Sequence, residues 1–297
     1  MNLVIGATGM LGYEICRLLI AEGKPVRAMV RKPFSQGKTK KLRETGVQIV
    51  QGDLCKKNTF GPALKGVTHI IATASSVPYS YIAEENDIHS VDNNGMMDLI
   101  NHAAQEGVSH FIYTSFSGNI SLDFPLRNAK RTVEQHLRGS GMTFTILRPG
   151  FFIETWLSPA MGFDLKKGKI QIYGTGKHPV SYISYFDVAR FAVLSLFNPY
   201  ARNMTLELGG PDKLSQFEIA SLYRQISGKK IEIYNTPEDK LRAQMNTSLD
   251  PMQKSLNGLK LALAQGDEID MTDTLKAFRI RLKSVREYAQ IASPIAG

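Results

Sequence analysis

The sequence predicts a doubly wound α/β fold, a parallel sheet with helices on both faces, followed by a smaller and mostly helical C-terminal cap. Three observations carry that reading. Apolar strand-like runs alternate regularly with helical stretches, a glycine-rich turn sits at the first strand–helix junction, and the rhythm breaks after Arg148-Pro149-Gly150.

The strand candidates are short runs rich in Val, Ile, Leu and Phe at residues 3–5, 26–30, 47–50, 69–72, 110–114 and 144–147. Such nearly continuous apolar character suits strands covered on both faces. Helical patterns between them cover residues 11–22, 36–44, 85–106 and 124–138. Strand–helix–strand repetition at this spacing builds a parallel sheet through right-handed crossovers. Residues 1–150 are therefore read as one sheet domain, and 151–297 as a mixed substrate-binding cap over the ligand cleft. About 183–210 are expected to return to the sheet, with Asp187 capping a helix over 188–197 and a further strand at 204–208. Helical pieces at 219–226 and 252–263 fill the tail.

Composition bounds the function. Hydrophobic residues make up 43% and charged residues 21%, which is ordinary globular material. No run approaches the roughly eighteen apolar residues that would suggest a membrane span. The formal charge of +9 favours anionic ligands. Its densest cluster is Arg27, Arg31, Lys32, Lys38, Lys40, Lys41 and Arg43, without interleaved aromatics or a nucleic-acid module, so a local anion site is expected and nucleic acid is not. Two cysteines, Cys16 and Cys55, have neither disulfide nor metal spacing, and the six histidines are scattered, so no metal is expected. With no basic segment leading into an apolar stretch at the N-terminus, a reducing, cytoplasmic setting is expected.

The glycine turn carries the chemistry. Gly6 lets the chain leave the strand sharply, Gly9 lets backbone approach a pyrophosphate, and Gly12 lets the helix pack closely on the sheet. Thr8, Met10 and Leu11 complete a loop whose backbone N–H groups face the phosphates at a helix N-terminus. This context, strand before and amphipathic helix after, marks a dinucleotide site. At the end of the second strand an NAD-preferring site carries Asp or Glu for the ribose 2′-OH, whereas Arg31-Lys32 stand here. A guanidinium grips a 2′-phosphate that a carboxylate would repel, so NADP(H) is the expected cofactor. Thr73, Ala74, Ser75 and Ser76, small residues after the fourth strand, would let its ribose approach.

These motifs resemble the NmrA-like group of atypical short-chain dehydrogenases/reductases, members of the NAD(P)-binding Rossmann superfamily. Gly6-Ala7-Thr8-Gly9-Met10-Leu11-Gly12 resembles the cofactor motif, and Val91-Asp92-Asn93-Asn94-Gly95 the fourth-helix signature. Leu147-Arg148-Pro149-Gly150 and Ile183-Ser184-Tyr185-Phe186-Asp187-Val188-Ala189 resemble later landmarks, and the likeness fades after about residue 230. Gly52-Asp53 resembles the pair whose Asp lies near the adenine, with Leu54 beside it. The resemblance implies NADP binding, with reduction of quinones, aldehydes, imines or cationic dyes in some relatives and cofactor sensing or assembly roles in others.

Typical members of the wider superfamily place a proton-donating Tyr four residues before a Lys on a helix. Here Lys130 stands in that position, but Leu126 replaces the tyrosine. Leu126, Lys130, Val133 and Leu137 share one helical stripe, so the lysine must find a polar partner, for which a cofactor ribose hydroxyl is suited. Ser115 and Ser117 fall at the carboxyl end of the fifth strand, and Ser115 with Lys130 forms the catalytic candidate pair. Asp92 is read as orienting the fourth helix. Tyr79, Tyr81, Phe151, Phe152, Trp156 and Tyr182 could line a flat acceptor or simply fill a core, and His178 is an isolated proton-donor candidate. No Gly-x-Ser-x-Gly elbow suggests hydrolysis.

The expected function is NADPH-dependent hydride transfer to a small, readily reduced acceptor: a quinone, a conjugated cation or a reactive carbonyl. The alternative is an NADP(H)-sensing regulator or assembly protein with a protein partner. The sequence leaves open monomer or dimer.

Overall fold

Strands covered on both faces need apolar side chains on both faces, and the runs identified above supply them. The structure is a computed structural model that describes residues 1–31, 36–78, 80–228 and 230–292. Its main sheet contains β1 (Asn2–Ile5), β2 (Val26–Val30), β3 (Gln48–Gln51), β4 (His69–Ala72), β5 (His110–Thr114), β6 (Thr143–Pro149) and β9 (Met204–Leu208), in the order β3-β2-β1-β4-β5-β6-β9. The pairings from β3 through to β6 are all parallel, with Leu3 of β1 opposite Arg27 on one side and Ile70 on the other. The strand order reverses between β1 and β4, so a crevice opens at the carboxyl ends of those two strands, where ligands bind in such sheets.

The helices between these strands are α1 (Met10–Ala21), α2 (Gln36–Glu44), α3 (Phe60–Leu64), α4 (Met96–Gln105) and α5 (Pro125–Arg138). Beneath one face of the sheet, Leu3, Ile5, Ile70, Leu99, Phe111, Tyr113, Val133 and Ile146 pack into a single core with almost no exposed surface. Each aliphatic side chain buried this way contributes about 1.5–3 kcal/mol. One segment departs from the sequence reading. The predicted helix over 85–106 begins as a wide-turned π-helix (Ile88–Gly95) that passes into α4. Gly95 sits where a Cβ would strike the Leu54 carbonyl and lie 2.7 Å from the Ser90 carbonyl, so only glycine lets the wide turn settle against the loop after β3.

The chain divides into two units. The first holds residues 1–116, 125–148 and 188–206, and the second holds 117–124, 149–187 and 207–297. Within the second lie α6 (Ile153–Trp156), α8 (Gln216–Ser227), α9 (Glu238–Thr247), α10 (Pro251–Gln265), α11 (Thr272–Phe278) and α12 (Val285–Ala292). It also holds a three-stranded sheet, β10-β8-β7, built from β7 (Phe163–Asp164), β8 (Lys169–Tyr173) and β10 (Glu232–Thr236), which the sequence reading did not contain. The α7 helix (Tyr185–Ser195) starts two residues before Asp187, which corrects the expected cap. Its first N–H groups are taken by the Glu154 carboxylate, which accepts from Tyr185 N (3.1 Å), and by Ser184 Oγ, which accepts from Phe186 N (3.2 Å). Asp187 instead accepts from the Lys283 N–H at 2.7 Å.

A buried histidine on β5 ties the stability of the first unit to pH. His110 is 5% exposed, and its Nε2 lies 2.9 Å from Thr145 Oγ1. The Thr145 hydroxyl spends its proton on the Ala201 carbonyl (2.7 Å), so Nε2 must be the donor. Burial, then the neighbouring His69 and Arg202, lowers the His110 pKa from its ordinary 6.5 to about 4. Between those two values the unfolded chain binds the proton that the folded ring refuses, so stability falls as pH falls through that window. Urea unfolding across this range should show that slope, and His110→Gln, which keeps a donor for Thr145, should flatten it.

Candidate functional site

Three backbones meet at the carboxyl end of β1. Gly6 adopts φ +85°, and a Cβ there would lie 2.7 Å from Ala74 N and 2.8 Å from Thr73 Oγ1. Thr73 in turn bonds the Ile5 carbonyl through its N–H (2.9 Å) and its hydroxyl (3.1 Å). A Cβ on Gly12 would lie 2.9 Å from Ala7 Cα, so α1 presses directly on the turn. Helix α1 has Gly9 at its N-cap, no capping side chain and no acidic residue in its first turn. Its first intrahelical bond is Tyr13 N to Gly9 O at 2.9 Å. The N–H groups of Met10, Leu11 and Gly12 therefore stand at the positive end of the helix, suited to an anion. Thr8 is half-buried, and Met10 is exposed beside them.

At the end of β2, Arg31 is exposed, and its Nη1 donates to Asn86 Oδ1. Lys32 and Tyr79 lie outside the described residues. Arg27, counted in the same basic cluster, is diverted: it donates to the carbonyls of Ala63 (2.8 Å) and Lys65 (2.7 Å) and to Gln48 Oε1 (3.1 Å). After β3, Asp53 accepts from the Cys55 N–H (3.0 Å), which fixes the turn, and Leu54 is buried.

Deeper in the first unit, Ser75 Oγ is enclosed without a hydrogen-bond partner among the described residues. Next to it, Ser76 is pinned by Asp92 of the π-helix, whose Oδ2 accepts from Ser76 N (2.9 Å) and Ser76 Oγ (2.6 Å). The other Asp92 oxygen lies 3.6 Å from Lys130 Nζ, an ion pair too long for a hydrogen bond. Lys130 also reaches the Thr114 carbonyl at 3.4 Å and stands 5.1 Å from the centre of the Tyr113 ring. Burial lowers the Lys130 pKa, and Asp92 pulls against it. The stripe of Leu126, Lys130, Val133 and Leu137 is buried as expected, and Leu126 leaves no acid on it. Tyr113 does not replace the missing tyrosine. Its hydroxyl is enclosed and unpartnered among the described residues, and burial, then Asp92, drives its ionisation well above the ordinary range.

Ser115 is held in an ion cluster. Arg131 Nη1 donates to Ser115 Oγ (3.2 Å), to the Phe116 carbonyl (3.1 Å) and to Glu134 Oε1 (2.5 Å). Arg148 grips the same carboxylate, its Nε at 3.0 Å and 3.2 Å from the two oxygens. Burial alone would raise the Glu134 pKa, but bonds from Arg148 and Ser115 and the charge of Arg131 hold it below the usual range.

In the second unit, Ser117 donates to Asp267 Oδ1 (2.7 Å), which Asn119 Nδ2 also reaches (2.9 Å). Phe151 and Tyr182 are core residues, while Phe152 and Trp156 are half-buried. The Phe151 and Trp156 rings meet edge-on, 4.9 Å apart. His178 is exposed. Tyr81, in the first unit, is half-buried. No group of three or more metal-ligating side chains occurs among the described residues.

The residues of the first unit fit a dinucleotide carrying a 2′-phosphate. Gly6 leaves only backbone at the turn, the N-terminus of α1 lacks any competing acid, an unpartnered Ser75 hydroxyl stands after β4, and an exposed guanidinium ends β2. Sequence reasoning missed Asn86 altogether, placed Ser76 only among the small residues after the fourth strand, and missed the joint hold of Glu134 on Arg131 and Arg148. Each belongs to a contact spanning fourteen to fifty-five positions of sequence, apart from the local Arg131–Glu134 pair. Only the helical spacing of Arg131 and Glu134 gave a local signal.

Relatives carry both functions that the sequence left open. A photosystem II assembly factor of Trieres chinensis is 31% identical over 242 residues, 79% of this chain and 72% of the relative. An NAD(P)H azoreductase of Xenophilus azovorans is 31% identical over 233 residues, 78% of this chain and 75% of the relative. The crystal structure of an NADPH-dependent quinone oxidoreductase from Escherichia coli, complexed with NADPH, shares the fold at a TM-score of 0.79. It is 22% identical, and the match covers 98% of this chain and 99% of the other. The NmrA-like family model matches residues 2–289, from the first strand into the last helix, and the chain belongs to that family.

Proposed function

We propose that this chain is an NADPH-dependent reductase of acceptors that take hydride readily, such as quinones, conjugated cations or reactive carbonyls. The observation that carries the reading is the carboxyl edge of the first unit, where an acid-free α1 N-terminus and the exposed Arg31 stand on neighbouring strands. Curated relatives include an NAD(P)H-dependent reductase.

When bound, the reduced nicotinamide would supply the hydride. The α1 N–H groups would hold the pyrophosphate, Arg31 the 2′-phosphate, and Ser75 and Lys130 the inner ribose. Lys130 stands 3.6 Å from Asp92, whose charge opposes the lowering of its pKa by burial. Ser115 is assigned a holding role, since its hydroxyl is engaged by Arg131 and Glu134. No side chain on the Lys130 stripe donates a proton, because Leu126 occupies the tyrosine's place. That favours acceptors whose product charge is delocalised and takes its proton from water.

The same Leu126 supports a second reading, an NADP(H)-responsive assembly protein without turnover, in line with the assembly-factor relative. Steady-state assays separate the two. Loss of NADPH absorbance with a quinone or a conjugated dye, and little with an unactivated ketone, is expected. Tight NADPH binding with no oxidation by any acceptor would overturn the reductase reading, and clearly different affinities for NADPH and NADP⁺ would then favour the second.

The buried ion pair gives a further expectation. Asp92→Asn keeps an acceptor for Ser76 but strands the Lys130 charge, lowering unfolding free energy by about 3 kcal/mol at neutral pH. The deficit should shrink at alkaline pH, where the stranded lysine sheds its proton. Urea unfolding of both proteins at the two pH values measures it.

A further inference from the structure

Arg31 does not stand alone at the end of β2. Its guanidinium donates to Asn86 Oδ1, while Asn86 Nδ2 donates to the Ser80 carbonyl, and Asn86 is only 4% exposed. The backbone of Asn86 closes the same turn, its N–H reaching the Ile82 carbonyl at 2.8 Å, with Glu84 at φ 67° between them. The next residue, Asp87, caps the π-helix through Ser90 N at 2.7 Å. One buried carboxamide therefore joins the β2 terminus to the turn that leads into the helix bearing Asp92.

We propose that Asn86 is a specificity-determining positioning residue. It holds Arg31 ready for the 2′-phosphate of the cofactor while leaving the guanidinium charge un-neutralised. The proposal rests on the NADPH reading above and deepens it. The Asn86 bond occupies one of five guanidinium N–H donors and leaves the exposed remainder for an anion. An unheld arginine would lose its rotamer freedom only when the ligand arrives, which weakens binding. A carboxylate in place of the amide would hold Arg31 as firmly but cancel its charge and face the phosphate. Among the described residues no carboxylate pairs with Arg31, so the neutral amide is its fixed partner. Its charge is felt toward the loop after β3: burial, then Asp53, pushes the Cys55 thiol up, and Arg31 opposes both.

Calorimetric titration of the full chain with NADPH, NADH, adenosine 2′,5′-bisphosphate and AMP tests this without turnover. Arg31→Ala is the reference and should abolish the preference for the 2′-phosphorylated member of each pair. Asn86→Ala should weaken NADPH and adenosine 2′,5′-bisphosphate about fivefold, and Asn86→Asp about tenfold or more, with NADH and AMP within about twofold of wild type. Asn86→Asp retains an acceptor for Arg31 although it too gives up the Ser80 bond, so the two variants separate the hold on Arg31 from its charge. Equal losses on both members of a pair, or none, in the two Asn86 variants would overturn the role of Asn86. If Arg31→Ala itself left the preference intact, the assignment of Arg31 to the 2′-phosphate, and the role of Asn86 with it, would fail, whereas a wild type without any preference within the pairs would overturn the NADPH reading instead.

Discussion

At the carboxyl end of β1 the backbones of three elements come within contact distance, and the rest of the site depends on that approach. The turn at Gly6 lies against Thr73 and Ala74 after β4, while Gly12 brings α1 onto the same turn. A methyl group at either glycine would separate the strand end from the helix or from the neighbouring loop. With the approach made, uncapped helix N–H groups and the loop after β4 border one crevice at the point where strand order reverses. Parallel order explains why Arg31 shares that edge: β2 is the neighbour of β1 and ends level with it.

Two carboxylates organise the interior behind this edge in different ways. Asp92 is fully enclosed and divides its oxygens, one locking Ser76 in the loop after β4 and the other facing Lys130. Glu134 gathers Arg131 and Arg148, each partly exposed, and leaves Ser115 inside the cluster. Ion pairs so buried contribute little net stability, because desolvation offsets attraction. Their effect is positional: breaking either strands a charge, so the loop after β4 and the end of β5 keep one arrangement.

Fold class and the succession of strands and helices were legible because parallel strands and their helices advertise themselves locally, through apolar runs and 3.6-residue stripes. The glycine turn and Arg31 were legible for the same reason, being fixed offsets from the first two strands. The partners of Asn86, Ser76 and Arg148 were not, since a polar residue looks alike in sequence whether it faces water or a partner many positions away. The small sheet β10-β8-β7 escaped because β10 is largely exposed and β7 is two residues long, too weak a pattern for a strand. Asp187 misled for a physical reason. It is a good capping residue, but Glu154 and Ser184 take the helix end, and its carboxylate accepts from Lys283 N.

Binding and chemistry separate in this chain at Leu126. A tyrosine there would stand one turn from Lys130, whose positive charge would stabilise the phenolate and turn it into a proton donor. The leucine is buried in the stripe and supplies no acid. What survives is a lysine beneath the expected ribose, an uncapped helix end suited to phosphates and an exposed arginine at the end of β2. Those three can orient a reduced cofactor without helping protonate a product. Any turnover must then come from an acceptor that needs no help, and a partner that merely reads the bound cofactor would need no more than the same three.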